Sequence, residues 1–246
     1  MKAGSFGARV NAFYLLLEAP KVPRGIHVMN PYTDPRTRAC LERFLSKYFN
    51  DERPRTLIIG INPGRFGSGL TGVTFTDPYA LTNECGIPHE FTGQREISAD
   101  FVYRVVSALG GAATFYDRLF MSAVCPLGFT QKGINMNYYD DKRLEKAVTP
   151  FIVESIEKHL QFPVNREHVV VLGRGKNAAY FERLNEEHGW FRNVHALDHP
   201  RFIMQYRRKK LDAHIAEYAQ LLGTILRTRE SDHHADQRRA PEPILS

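Results

Sequence analysis

Residues 56–69, TLIIGINPGRFGSG, decide how the rest of the chain is read. An apolar, β-branched run over 56–61 is cut off by Asn62-Pro63-Gly64, the pattern of a buried strand that stops in a turn. Pro63 fixes its own φ and pushes Asn62 out of helical geometry. Gly64, Gly67 and Gly69 leave room for another backbone, a phosphate or a flat ring to come close. An Asn amide placed at a strand end can orient a water or hydrogen-bond a sugar or base. It can equally bond its own loop, so this segment alone leaves the choice open.

Working outward, three more apolar runs read as strands: 119–124, 168–172 and 194–197. Between them lie helical patterns over 38–48, 98–109, 142–160, 177–187 and 209–226. Thr37 and Ser98 are the expected N-caps of the first two. The first residues, MKAGSFGARVNAFYLLLEAP, read as an amphipathic helix, because the apolar stretch is short and lacks a small-residue cleavage site. Strands that alternate with helices predict a three-layer α/β/α fold around a central, four-stranded, mostly parallel sheet. One domain over 1–226 is expected, followed by a polar, charge-mixed tail over 227–246 that reads as disordered. His233 and His234 in that tail read as solvated rather than metal-binding.

Sites in such sheets form beyond the carboxyl ends of the strands. The segments that follow the four runs are Asn62-Pro63-Gly64, Cys125-Pro126-Leu127, Gly173-Arg174-Gly175 and Asp198-His199-Pro200. A His at a strand end can give a proton or a neutral hydrogen bond to developing negative charge. Standing alone, it reads more readily as a structural His bonded to backbone. After it come Arg201, Phe202, Gln205 and Tyr206, then the cations Arg207, Arg208, Lys209 and Lys210. A wedge with cations behind it is what an enzyme that extrudes a base needs. A hydrophobic patch with a solvated basic face has the same composition. Residues 172–177, LGRGKN, imitate a phosphate-binding loop, but the gap between glycines and the residue after Lys176 are both wrong for one.

The bulk numbers narrow the partners. Cys40, Cys85 and Cys125 are too far apart for a metal cluster and fit free thiols in a reducing, cytoplasmic setting. No window is long and apolar enough to span a membrane. The net charge of +6 favours a polyanionic partner without proving one.

Taken together, the segments resemble the single-strand-selective monofunctional uracil-DNA glycosylase family, in a bacterial branch. Met29-Asn30-Pro31-Tyr32 is similar to its early Tyr-Asn-Pro segment. Residues 60–75, GINPGRFGSGLTGVTF, resemble its Gly-Met-Asn-Pro-Gly motif and the downstream Thr-Gly-Val-x-Phe. Residues 120–127, FMSAVCPL, resemble its third strand, and His199-Pro200 the start of its second catalytic motif. Order and spacing hold from about residue 28 to 226.

The resemblance implies a uracil-DNA glycosylase fold and hydrolysis of the N-glycosidic bond of uracil in DNA, the first step of base excision repair. It implies no metal, no cofactor and a monomer acting on single- and double-stranded DNA. By position, Asn62 would hold the attacking water and His199 would stabilise the leaving base. Phe75 would stack on the flipped ring, with Gly64 leaving space beside it. Gly60, Ile61 and Pro63 would complete the base pocket. Pro200, Arg201, Phe202, Gln205, Tyr206 and the four cations Arg207–Lys210 would contact DNA. The family reads the base with an Asn on the third strand, where this chain has Ala123 with Ser122 beside it. That departure predicts a looser reader, open to hypoxanthine or xanthine. A glycosylase chiefly for deaminated purines, a catalytically weak damage-binding protein and a hydrolase of free nucleosides or nucleotides are the competing readings.

Overall fold

A computed structural model describes residues 1–93 and 95–237, the side chains of 228–237 excepted. Its framework is a sheet of four parallel strands: β2 (Arg55–Gly60), β3 (Leu119–Ala123), β6 (Val164–Leu172) and β7 (Asn193–Leu197), in the order β3-β2-β6-β7. The expected strands and the α/β class are therefore present. β2 is buried at all six positions, as a strand covered on both faces must be. On one face, Ile58, Met121 and Val170 meet Val102 and Val105 of α5 (Ile97–Ala108) and Leu222 of α10 (Leu211–Gln237). On the other, Phe120 packs at 5.1 Å against Phe6 of α1 (Phe6–Leu15) and at 6.4 Å against His159 of α7 (Lys142–His159).

Strand order places the site. The chain runs from β2 to one neighbour, β3, then crosses back to β6 on the other side. A crevice opens at the carboxyl ends where that direction reverses. Asn177, in the first turn of α8 (Lys176–His188), fastens it from beneath, donating to Leu172 O at 3.1 Å and Gly60 O at 3.5 Å.

Several elements were not foreseen. A small antiparallel sheet of β1 (Ile26–Met29), β4 (Gly128–Gln131) and β5 (Ile134–Met136) stands beside the crevice. Its strands have only three or four residues, too few to show alternation. Gly128 lets β4 press against the loop after β2, since a Cβ there would stand 2.5 Å from Pro63 O. Between β2 and β3 also lie α3 (Ser68–Thr71), α4 (Pro78–Asn83) and α6 (Gly111–Arg118).

Both expected caps are corrected. Asp34 caps α2 (Pro35–Tyr48) by accepting from Arg36 N, and the Thr37 hydroxyl instead donates to Leu70 O at 2.6 Å. Helix α5 begins at Ile97 behind Glu96, so Ser98 lies inside its first turn. The last helix begins at Leu211, after a 3-10 turn over Arg208–Lys210, and continues past residue 227 to Gln237. The expected tail is thus helical up to 237, and residues 238–246 lie outside the described residues.

Candidate active site

The crevice holds a small cavity of about 90 Å³. Gly60 at the end of β2 with residues 61–64 after it, Ala123 at the end of β3, His199 after β7, and Phe75 all line it. Gly60 and Ala123 are register partners, so the ends of β2 and β3 share one rim.

Phe75 is held from below. The Thr71 hydroxyl donates to Thr76 O at 2.6 Å, and Tyr32 Oη donates to Gly72 O at 3.2 Å. The loop thus turns back on itself, carrying Phe75 at a φ of 54° that side chains seldom adopt. The early Asn-Pro-Tyr segment is therefore a brace for this loop: Asn30 caps its own turn by accepting from Tyr32 N at 3.0 Å.

Asn62 is bound to the β5 side of the crevice rather than to its own turn alone. Its Nδ2 donates to Met136 O at 3.1 Å and weakly to Pro63 O at 3.4 Å. Its Oδ1 accepts from Tyr138 N at 3.1 Å. One lone pair of Oδ1 is left over.

His199 caps α9 (Pro200–Tyr206), and its Nδ1 accepts from Arg201 N at 3.2 Å. That bond leaves the proton of the neutral ring on Nε2. Burial, with the Arg201 cation nearby, pushes the imidazole down to about 4, so the ring is uncharged at neutral pH. The turn beneath it is fixed by Tyr218 Oη donating to Asp198 O and by Arg174 beside the Asp198 carboxylate at 3.6 Å. The Phe75 and His199 rings stand 5.7 Å apart between centroids.

Glu96, a residue without any sequence signal, also lines the cavity. Its backbone N donates to Asp77 Oδ2 at 2.5 Å. Burial and the Asp77 charge raise its carboxyl to about 7, against the pull of Arg201. Asn135, Met136 and Asn137 of the β5 arm complete the wall with Ser68, Thr74 and Ser98.

Ser122 does not reach the cavity. Alternation along β3 sends it to the opposite face from its neighbour Ala123. There its Oγ lies 3.0 Å from Tyr14 Oη and 2.7 Å from His159 Nε2, fully buried. The assignment of Ser122 to base contact is therefore corrected: it belongs to the core.

A second, wider cavity of about 600 Å³ opens beside the first and shares Ile61, Asn135, Asn137, His199 and Arg201 with it. Phe202, Gln205 and Tyr206 line it, as does the unforeseen pair Phe66 and Ile134. Phe66, Ile134, Phe202 and Tyr206 are between 39% and 70% exposed. Four large exposed apolar groups around one opening form a patch of the kind that marks a binding surface. Pro200 is buried, whereas Arg207–Lys210 are exposed just beyond α9 and line neither cavity. Among the described residues, no group of three or more His, Cys, Asp or Glu is placed to hold a metal, and no helix is long and apolar enough to cross a membrane.

The model of the uracil DNA glycosylase superfamily matches residues 46–223. The chain belongs to this superfamily. The crystal structure of wild-type SMUG2 from Pedobacter heparinus is similar at a TM-score of 0.89 and 41% identity, covering 91% of this chain and 99% of that one. The protein is thus a DNA glycosylase of the SMUG2 type, a hydrolase of DNA repair that acts on DNA. No curated protein matches it. In this glycosylase the motifs after β2 and β7, more than 130 residues apart in the chain, converge on one cavity.

Proposed function

We propose that the enzyme removes uracil, together with the deaminated purines hypoxanthine and xanthine, from DNA and leaves an abasic site. The observation that carries this reading is the hydrogen bond from Arg201 N to His199 Nδ1. With Nδ1 tied to Arg201 N, a neutral Nε2–H is available beside Phe75. Breaking the N-glycosidic bond puts negative charge on the base and positive charge on the sugar. A fixed donor facing the base carbonyl gains most in the transition state, which is the condition for raising the rate.

Asn62 suits the other half of the reaction. An amide cannot accept a proton outright, but the spare lone pair on its clamped Oδ1 can orient a water towards the sugar. Phe75 supplies a face for the flipped ring, between the Gly60 backbone and His199. The apolar patch of Phe66, Ile134, Phe202 and Tyr206 supports insertion into the base stack, with Arg201 and the cations Arg207–Lys210 along the backbone. Unstacking costs a few kcal/mol, least in single strands and mispairs, which favours those substrates. We read the active species as a monomer.

The test uses labelled oligonucleotides carrying uracil, hypoxanthine, xanthine or no lesion, incubated with enzyme in EDTA and then treated with alkali. Breakage only at the lesion, and only after alkali, is the expected result. Asn62→Ala and His199→Ala should keep lesion binding and lose most turnover. Variants as active as the wild type would overturn these roles, and lesion-selective binding without breakage would favour the damage-binding alternative.

A further inference from the structure

The wall facing the extruded base lacks the amide expected on the third strand, since Ala123 offers only a methyl group. We propose that Asn135 and Glu96 supply the missing polar edge and read the base. The inference rests on the base-pocket reading above.

Both side chains line the cavity around Gly64. Nδ2 of Asn135 and Oε1 of Glu96 each lie 3.5 Å from the place a Cβ on Gly64 would take, so two polar groups converge on one volume. The other Glu96 oxygen occupies space that only a glycine at 67 leaves open: a Cβ there would stand 1.8 Å from Oε2. Neither group is committed elsewhere. Asn135 Oδ1 is buried without a hydrogen-bond partner, and the Glu96 carboxylate has neither a hydrogen bond nor an ion pair among the described residues. A buried acceptor left unmatched is costly, so a ligand donor that reaches it is favoured.

The chemistry names the ligand class. A carboxamide presents C=O and N–H side by side, and its partner is another C(=O)–N–H edge. Uracil, hypoxanthine and xanthine share that lactam edge; cytosine and adenine present an amino group beside an unprotonated nitrogen. An Asn135 amide held in one orientation pairs with the lactam order of acceptor and donor and opposes the reversed order that cytosine and adenine present. Glu96, flanked by Asp77 and Arg201, accepts an N–H when ionised and donates an O–H when neutral. The arrangement therefore selects deamination as such, whether the ring is a pyrimidine or a purine.

The experiment compares wild type, Asn135→Ala and Glu96→Gln in single-turnover cleavage of uracil, hypoxanthine and xanthine, with thermal melts to show that the variants fold. Because the edge is common to the three bases, Asn135→Ala should slow all three alike by about tenfold, the size of effect one bidentate contact gives, and should lose the preference for uncleavable uracil over cytosine in binding. Glu96→Gln should weaken that preference in the same direction. Slowing with the preference over cytosine intact would overturn the proposal and leave both residues as scaffold. If the wild type cleaves none of them, the proposed function fails on its own. Binding of oligonucleotides with 2′-fluorinated, uncleavable lesion nucleotides then decides the inference. A preference for deaminated bases over cytosine, lost in Asn135→Ala, would uphold it, and its absence from the wild type would sink it.

Discussion

The ring of Phe75 rests directly on Gly60: a Cβ at Gly60 would stand 2.7 Å from Cζ and 2.9 Å from Cε2 of the ring. The last residue of β2 is therefore a seat for the aromatic face of the cavity, and the ring cannot keep its place over any side chain.

Gly60→Ala should for that reason displace Phe75 and depress cleavage by about 10²-fold, the loss that misplacing a catalytic-site group by about 1 Å brings. Single-turnover rates alongside a thermal melt would check this. A variant with wild-type rates would show that the ring position is immaterial.

His199→Ala should slow cleavage by about 10²–10³-fold, as loss of one aimed donor does. The pH profile gives a second check. With its imidazole held down to about 4, His199 stays neutral through the usual His range. Its contribution to the rate should be level from pH 8 to about 5 and change only near 4. A break near 6.5 that vanishes in the variant would refute the neutral-donor role.

Stability should depend on His159. It is fully buried; Nε2 accepts from Ser122 and Nδ1 donates to Ser155 O at 2.6 Å, and burial pushes the ring down to about 4. The folded state thus resists a proton that the unfolded chain takes up near 6.5. The stabilisation is complete above 6.5 and is lost as the pH falls towards 4, amounting to about 3 kcal/mol. Urea unfolding between pH 7 and 4 should show that fall. His159→Gln should make it shallower, with His199 titrating in the same window and contributing the remainder.

Arg55 is fully buried on β2. It pairs with Asp51, lies 5.3 Å over the Phe6 ring and donates to Tyr116 O at 3.3 Å. Arg55→Ala should destabilise by about 1–3 kcal/mol, because it leaves the buried Tyr116 carbonyl and the part-buried Tyr48 carbonyl without their Arg55 donor, whereas Asp51 keeps its pair with Arg53. The Arg55 contact is the first cause of the lowered Asp51 carboxyl, so the loss should be largest above pH 4 and shrink in stronger acid. Denaturation midpoints at pH 7 and 3 would measure it.

How much of this was legible follows from what each feature leaves in the chain. The central strands are continuous apolar runs because both faces are covered, so β2, β3 and β7 were readable to within a residue or two. β6 begins four residues before the expected 168, where its start turns polar and exposed. The caps misled, since Asp34 and Glu96 stand just outside the amphipathic pattern. Ser122 was misplaced because adjacency in sequence means opposition across a strand.

The sequence by itself determined the α/β class and the strand ends that carry the site, since these are local signals of hydropathy and turn chemistry; the joint role of Asn62 and His199 was implied only by the resemblance to the glycosylase family. Only the tertiary structure decided which side chains face the cavity with them. Glu96 and Asn135 stand 34 and 73 residues beyond Asn62. They reach it because Asp77 holds the Glu96 backbone and β4 carries the β5 arm against Pro63. Such contacts are made by packing across the fold, which leaves no period or motif along the chain.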